Sequence, residues 1–117
     1  MSFAPQPVAL ARIAALATYA PERRLTNADL QNLVDTSDEW IVKRTGIRER
    51  RIAADDEYTS DLALRAVRSL IEQTGSLTEV DLVIAATSTA DYVFPSLAAQ
   101  IQSAAGLTAG AFDVSAA

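Results

Sequence analysis

The chain has 117 residues, half of them apolar, and a net charge of −5 from 15 Asp and Glu against 10 Lys and Arg. That is enough chain for one domain with a real core, and the acidic balance argues against a general nucleic-acid binder, whose binding face is basic. Cys and His are both absent, so these residues hold no disulfide, thiolate metal site, Cys nucleophile or imidazole base.

No apolar run reaches membrane-spanning length. Met1–Val8 lacks the basic and long apolar regions of a signal peptide, and its two Pro residues suggest a loose lead-in. The expectation is a cytoplasmic protein with no metal, no nucleic acid and no membrane as partner. Val8–Tyr19 is apolar apart from Arg12. Its Ala content favours a helix, but the turn signal at Tyr19-Ala20-Pro21 favours a strand running out to the surface. We assign it as a strand. Thr26-Asn27-Ala28-Asp29-Leu30 then has the pattern of a capped helix start, with Leu30, Leu33 and Val34 as its apolar side.

The densest signal follows, from Asp35 to Arg50, and it contains the only Trp. Thr36 or Ser37 is placed to cap a helix, and Thr36-x-x-Glu39 has capping-box spacing. Asp38 and Glu39 sit at the positive end of the helix dipole, Lys43 and Arg44 at the negative end. Gly46 is suited to the left-handed stop. The spacing predicts a helix of about two turns. Trp40 and Arg44, four apart, share one face. Two readings stand at this point. The indole is a platform for a flat, phosphate-bearing ligand, with the guanidinium on phosphate oxygens. Alternatively Trp40 packs in the core under Arg44 as a cation–π lid, which the usual burial of large aromatics favours. Thr45 either lines a site entrance or caps the helix end. Ile47–Ala54, with Arg48, Glu49, Arg50 and Arg51, reads as an exposed extended segment, solvated or touching phosphate.

Thr59–Thr74 is the clearest helix. Thr59 or Ser60 is its expected cap, Leu62, Ala66 and Leu70 form its stripe, and Gly75 ends it. Asp81–Thr87 is a continuous apolar run and reads as a buried strand, with Leu82–Ala86 central between the Thr59–Thr74 and Leu97–Ala105 helices. Ser88, Thr89 and Asp91 lie at its C-terminal end, where α/β sheets bind ligands. Pro95 suits the first turn of the next helix, Gly106 closes that helix, and Ala111–Val114 is a short final strand. No dinucleotide glycine motif, P-loop, zinc-protease or EF-hand pattern is present. Strand and helix alternate, which indicates a layered α/β fold.

The Asp35–Ile41 stretch, Arg44-Thr45-Gly46-Ile47 and Arg48-Glu49-Arg50 resemble the N-terminal signature of β-ketoacyl-acyl-carrier-protein synthase III. Phe94-Pro95-Ser96, Gln100-Ile101-Gln102 and Ala111–Ala117 match later blocks, so the resemblance runs from Ile13 to Ala117. It implies a thiolase-like layered α/β/α/β/α fold, of which residues 1–117 are the first part of the N-terminal half. It implies a condensing enzyme that joins acetyl-CoA, or another short acyl-CoA, to malonyl-acyl carrier protein with loss of carbon dioxide. A Cys thiolate takes the acyl group, splitting the reaction into two easier steps. A His and an Asn promote decarboxylation. No cofactor is implied, acyl-CoA being a substrate.

By the same resemblance Trp40 stacks on the CoA adenine, Thr36 bonds near it and Arg44 meets the nucleotide or its phosphates. Phe94 lies near the acyl pocket of the partner subunit in a homodimer whose interface includes the final strand. The catalytic Cys, His and Asn fall outside residues 1–117. Ala15 and Ala17 depart from the family, which has Gly at those places in its first strand. Related synthases of polyketide, quinolone or long-chain ketone precursors are alternatives, as are a non-catalytic CoA-binding fragment and an unrelated α/β interaction module. The resemblance further implies that the polypeptide continues past Ala117 with the nucleophilic Cys. Intact-mass spectrometry with peptide mapping through Ala116-Ala117 checks this: a Cys next, bearing an acyl or oxidised adduct, is the expected outcome, and a homogeneous mass ending at Ala117 is the contrary one.

Overall fold

A computed structural model describes residues 11–115. The lead-in at Met1–Val8, the first residues of the Val8–Tyr19 strand, and Ala116-Ala117 lie outside them. The first half is built on an antiparallel pair, β1 (Arg23–Thr26) and β2 (Glu49–Ile52), with Arg23 opposite Ile52 and Thr26 opposite Glu49. Two short helices, α1 (Asn27–Gln31) and α2 (Asp38–Thr45), fill the connection. Thr26 both ends β1 and caps α1. The Asp29 N–H donates to its hydroxyl at 3.2 Å, and its own N–H donates to the Asp29 carboxylate at 2.8 Å. The Thr26 hydroxyl and backbone N–H hold the Asp29 carboxyl below its ordinary range. Ile47–Ala54 thus supplies a strand, where the sequence reading gave only an extended segment. Its partner β1 was not anticipated, because Arg23-Arg24-Leu25-Thr26 is too short and too charged to signal a strand. Glu49 sits between Arg24 and Arg51 at 3.3 and 3.8 Å. These pairs are open to water and add little stability.

The second half is a parallel pair, β3 (Leu82–Ala86) and β4 (Gly110–Val114), in register from Leu82 with Gly110 to Ala86 with Val114. Helix α3 (Thr59–Thr74) precedes it, and α4 (Leu97–Ala104) makes the crossover that a parallel pair requires. Ala85, Leu97, Ala98 and Ile101 are buried together, with Leu64, Val67, Val83 and Ala111 packed around them. Ala98 is wholly buried. Its single methyl lets α4 lie close to the sheet.

Both longer connections are tied down by carboxylates at helix starts. Asp91, after β3, accepts from the Thr59 N–H at 2.9 Å and the Ser60 N–H at 3.1 Å. The Thr59 hydroxyl donates to the Thr89 carbonyl at 2.7 Å. Asp113, on β4, accepts from the Leu97 and Ala98 N–H groups, each at 2.7 Å. Negative charge at free N–H groups of a first turn is favoured by both hydrogen bonding and the helix dipole. So α3 is held by Asp91 rather than by the expected Thr59 or Ser60. In α4, Ser96 is the cap, its hydroxyl accepting from the Ala99 N–H at 3.2 Å. Pro95 therefore lies just before the cap, not in the first turn, and the Phe94–Pro95 peptide bond is cis.

Two expectations are corrected. Residues 11–20 carry no regular structure, with Ile13 and Leu16 exposed. A strand needs a neighbour to satisfy its backbone groups, and none among the described residues pairs with this segment. Leu82–Ala86 is not buried on both faces. Its Val83 and Ala85 side faces the helices, while Leu82, Ile84 and, from β4, Phe112 are about half exposed. The apolar run signals two coverable faces, and among the described residues only one is covered, by α3 and α4. Among the described residues no helix is long and apolar enough to cross a membrane. Asp113→Ala should cost about 1–2 kcal/mol, the upper range for a lost helix cap, and Asp113→Asn about half of that. Urea unfolding checks both, and two variants as stable as the parent would contradict the capping role.

Candidate functional site

Helix α2 carries the residues singled out in the sequence. Its cap is Ser37, whose hydroxyl accepts from the Trp40 N–H at 3.1 Å. The Thr36-x-x-Glu39 box does not form, because the chain enters the helix one residue later, with Ser37 still extended. The stop is as read: Gly46 is left-handed at φ 72° and its N–H returns to the Val42 carbonyl at 2.8 Å. Thr45 closes that end. Its hydroxyl donates to the Ile41 carbonyl at 2.8 Å and accepts from the Ile47 N–H at 3.0 Å.

Ile41 is the residue that α2 buries, at 6% exposure, whereas Trp40 beside it is 54% exposed. The core-packing reading of Trp40 is thereby overturned. The cation–π half of that reading holds: the Arg44 guanidinium carbon lies 4.8 Å from the indole centroid. An exposed indole backed by a guanidinium offers a flat, electron-rich surface beside a positive charge.

A buried amide sets the position of this face. Asn27 is 1% exposed. Its Nδ2 donates to Asp38 Oδ1 at 2.7 Å, at the start of α2, and to the Ile47 carbonyl at 2.9 Å, just past its end. Its Oδ1 accepts from Arg50 Nη1 on β2. Its backbone N–H donates to the Arg48 carbonyl at 3.2 Å. Both ends of α2 are thus pinned to one side chain. The sequence showed Asn27 only as a first helical residue. Its partners lie 11, 20 and 23 positions away, beyond any local pattern.

Asp35, Thr36, Ser37 and Trp40 line a cavity of about 350 Å³. Thr36 is half-buried there, two residues before α2 begins, so Thr36 and Trp40 meet at one cavity while Arg44 lies over the ring from the next turn of the helix. Phe94 is elsewhere, on the loop between β3 and α4, and is 89% exposed. A second cavity, about 390 Å³, opens at the C-terminal ends of β3 and β4, between Thr87, Ser88, Asp91 and Asp113. Both its carboxylates are engaged as helix caps. A third, about 640 Å³, is bordered by Tyr19, Arg23, Ile52, Glu57 and Arg65. Three of its polar groups engage one another: the Tyr19 hydroxyl donates to Glu57 and accepts from Arg65, each at 2.8 Å. The bond to Glu57, aided by desolvation, raises the Tyr19 phenol above its ordinary value. The smaller cavity at Trp40 is the better candidate because its polar edge and aromatic wall remain open. Among the described residues no cluster of metal-ligating side chains occurs.

Asn27→Ala should destabilise the protein by about 2–3 kcal/mol, the scale of stranding buried polar partners. Asn27→Asp should cost at least as much, since it sets a carboxylate against the Asp38 carboxylate and the Ile47 carbonyl. Denaturant unfolding followed by Trp40 fluorescence checks both, and changes within about 0.5 kcal/mol would place Asn27 among ordinary surface residues.

No family model matches the chain. Individual relatives do. A β-ketoacyl-[acyl-carrier-protein] synthase III of Bacillus subtilis is 55% identical over 108 residues, which is 91% of this chain and 33% of the relative. The crystal structure of β-ketoacyl-[acyl carrier protein] synthase III from Thermus thermophilus is 56% identical with a TM-score of 0.84, again over 91% of this chain and 33% of that one. The priming β-ketosynthase of the R1128 polyketide pathway is more distant: 38% identical, TM-score 0.78, over 86% and 31%. The chain spans about a third of the length of the relatives it matches. With this identity along nine tenths of its residues and the same arrangement of elements, the chain belongs to the β-ketoacyl-acyl-carrier-protein synthase III family of thiolase-like condensing enzymes and corresponds to the N-terminal part of its members.

Proposed function

We propose that these residues form the coenzyme-binding part of a β-ketoacyl-acyl-carrier-protein synthase III, which initiates fatty acid synthesis by condensing acetyl-CoA or another short acyl-CoA with malonyl-acyl carrier protein. The observation that carries the proposal is the half-exposed Trp40 held under Arg44 at 4.8 Å, on a helix pinned at both ends. A large aromatic left in water on a fixed helix is suited to a base, whose stacking covers the ring. Trp40 stacks on the adenine, Thr36 bonds at its edge, and Arg44 backs the ring and attracts the phosphates. The acyl-accepting Cys and the decarboxylating His come from outside these 117 residues, which contain neither.

Tyr92, Val93 and Phe94 form an exposed apolar loop. Such a patch fits a protein contact, and it supports Phe94 reaching the acyl pocket of a partner subunit in a cytoplasmic homodimer. The proposal includes no cofactor. Priming of fatty acid synthesis is preferred over priming of polyketide synthesis because identity is 55% to the former relative and 38% to the latter.

In the full-length enzyme, Trp40→Ala should weaken acyl-CoA use, read as kcat/KM, by about 1–3 kcal/mol, the scale of a lost base–aromatic stack. Arg44→Ala should also weaken it, and more strongly at low salt, because the contact with phosphate is screened by ions. Steady-state kinetics at two ionic strengths checks this. Unchanged kinetics in both variants would overturn the assignment.

A further inference from the structure

The two strand pairs lie in different halves of the chain, and the buried cluster of Ala85, Leu97, Ala98 and Ile101 draws only on the second. The halves face each other across the cavity of about 640 Å³, with Arg23 and Ile52 of the hairpin on one side and Asp61 and Arg65 of α3 on the other. A polar cluster spans that gap. Tyr19, just ahead of β1, donates its hydroxyl to Glu57 and accepts from Arg65, each at 2.8 Å. The Arg65 guanidinium carbon also lies 5.0 Å from the Tyr19 ring centroid, and its Nη2 is 3.5 Å from Glu57 Oε1. Glu57 Oε2 accepts from the Ala54 N–H at 3.3 Å, and the Glu57 N–H donates to the Ala54 carbonyl at 3.1 Å. Arg51 Nη1, on β2, donates to the Pro21 carbonyl at 2.7 Å and so ties the chain leaving Tyr19 to the hairpin.

Among the described residues, and apart from the connecting residues 53–58, the side-chain hydrogen bonds between the halves run through Tyr19. The Glu57 side chain is only 8% exposed. A carboxylate so far from water holds its partners firmly, because each lost bond leaves a desolvated charge. We propose that Tyr19, Glu57 and Arg65 are positioning residues, a polar clasp that holds the hairpin half, and with it Trp40, at a fixed distance from α3 and the strands behind it. This rests on the coenzyme-binding proposal, which puts the nucleotide at Trp40 in the first half. The C-terminal ends of β3 and β4, the ligand end of an α/β sheet, are in the second. A ligand that reaches both halves is sensitive to their spacing, since a misplacement of about 1 Å remote from the chemistry can cost about a hundredfold.

The test uses the full-length enzyme with Tyr19→Phe, which keeps the ring beneath Arg65 and removes the hydroxyl, and with Arg65→Gln. Hydrogen exchange at the Ala54 and Glu57 amides should rise by about tenfold, the scale of a lost hydrogen bond to a charged group, and stay as in the parent within β1, β2 and the middle of α3. With acetyl-CoA, kcat/KM should fall by about fivefold, the scale of one net hydrogen bond. With acetyl-pantetheine, which lacks the nucleotide and makes no contact at Trp40, it should stay as in the parent. A loss of stability alone lowers both donors alike. Unchanged acetyl-CoA kinetics, equal losses with both donors, or unchanged exchange at Ala54 and Glu57 would overturn the clasp while leaving the Trp40 platform intact. Trp40→Ala separates the two proposals: no effect on acetyl-CoA would overturn the coenzyme reading, and exchange at Ala54 and Glu57 then decides whether the clasp holds the halves.

Discussion

The Asn27 side chain offers two N–H donors and a carbonyl oxygen, and at 1% exposure it has no water to satisfy them. It meets that demand with Asp38, Ile47 and Arg50, which stand at the start of α2, just after α2 and on β2. A buried amide tolerates little displacement of its partners, because each unmade bond leaves a desolvated polar group. Any movement of α2 along or away from the hairpin would strand several such groups at once. The charged strands β1 and β2 bury little apolar surface of their own. The first half of the chain thus owes much of its definition to a polar knot beneath the helix that carries Trp40.

The second half solves the same problem with charge. Asp91 and Asp113 each place a carboxylate on two adjacent N–H groups at the start of a helix. One lies just beyond β3 and the other on β4, so each cap is also a tertiary contact. The caps fix the lateral position of α3 and α4 while the small residues Ala85 and Ala98 let them approach the sheet. The polar residues at the C-terminal ends of the strands, a common place for ligands, are used here chiefly to hold helices.

Against that rigid background, the exposure of Trp40 is informative. Burying a large aromatic is normally favourable, and α2 has a buried neighbour position that it gives to Ile41 instead. Arg44 lies over the ring, and its charge limits how far the pair can be drawn inside, since a guanidinium that has no anionic partner among the described residues resists desolvation. The pair is stable at a surface, where it leaves an aromatic ring and a positive charge facing solvent.

Local rules read from the sequence accounted for α1, α2, α3 and α4, the left-handed stop at Gly46, and the strands at Leu82–Ala86 and Ala111–Val114. Each depends on periodicity or on a cap a few residues away, and both are written in neighbouring positions. The Asp35–Arg50 block was also enough to suggest the family, because its motif is contiguous. Whether Trp40 faced the core or the solvent was open, since i, i+4 spacing places Trp40 and Arg44 together without saying which way they point. Tertiary structure decided that, by sending Ile41 inward. It also decided the pairing of Arg23–Thr26 with Glu49–Ile52, the absence of a strand at residues 11–20, and the capping roles of Asp91 and Asp113. The strand pairing and the caps depend on partners 15 to 32 residues away, and hydrogen bonds across such separations are fixed by packing rather than by any local sequence pattern.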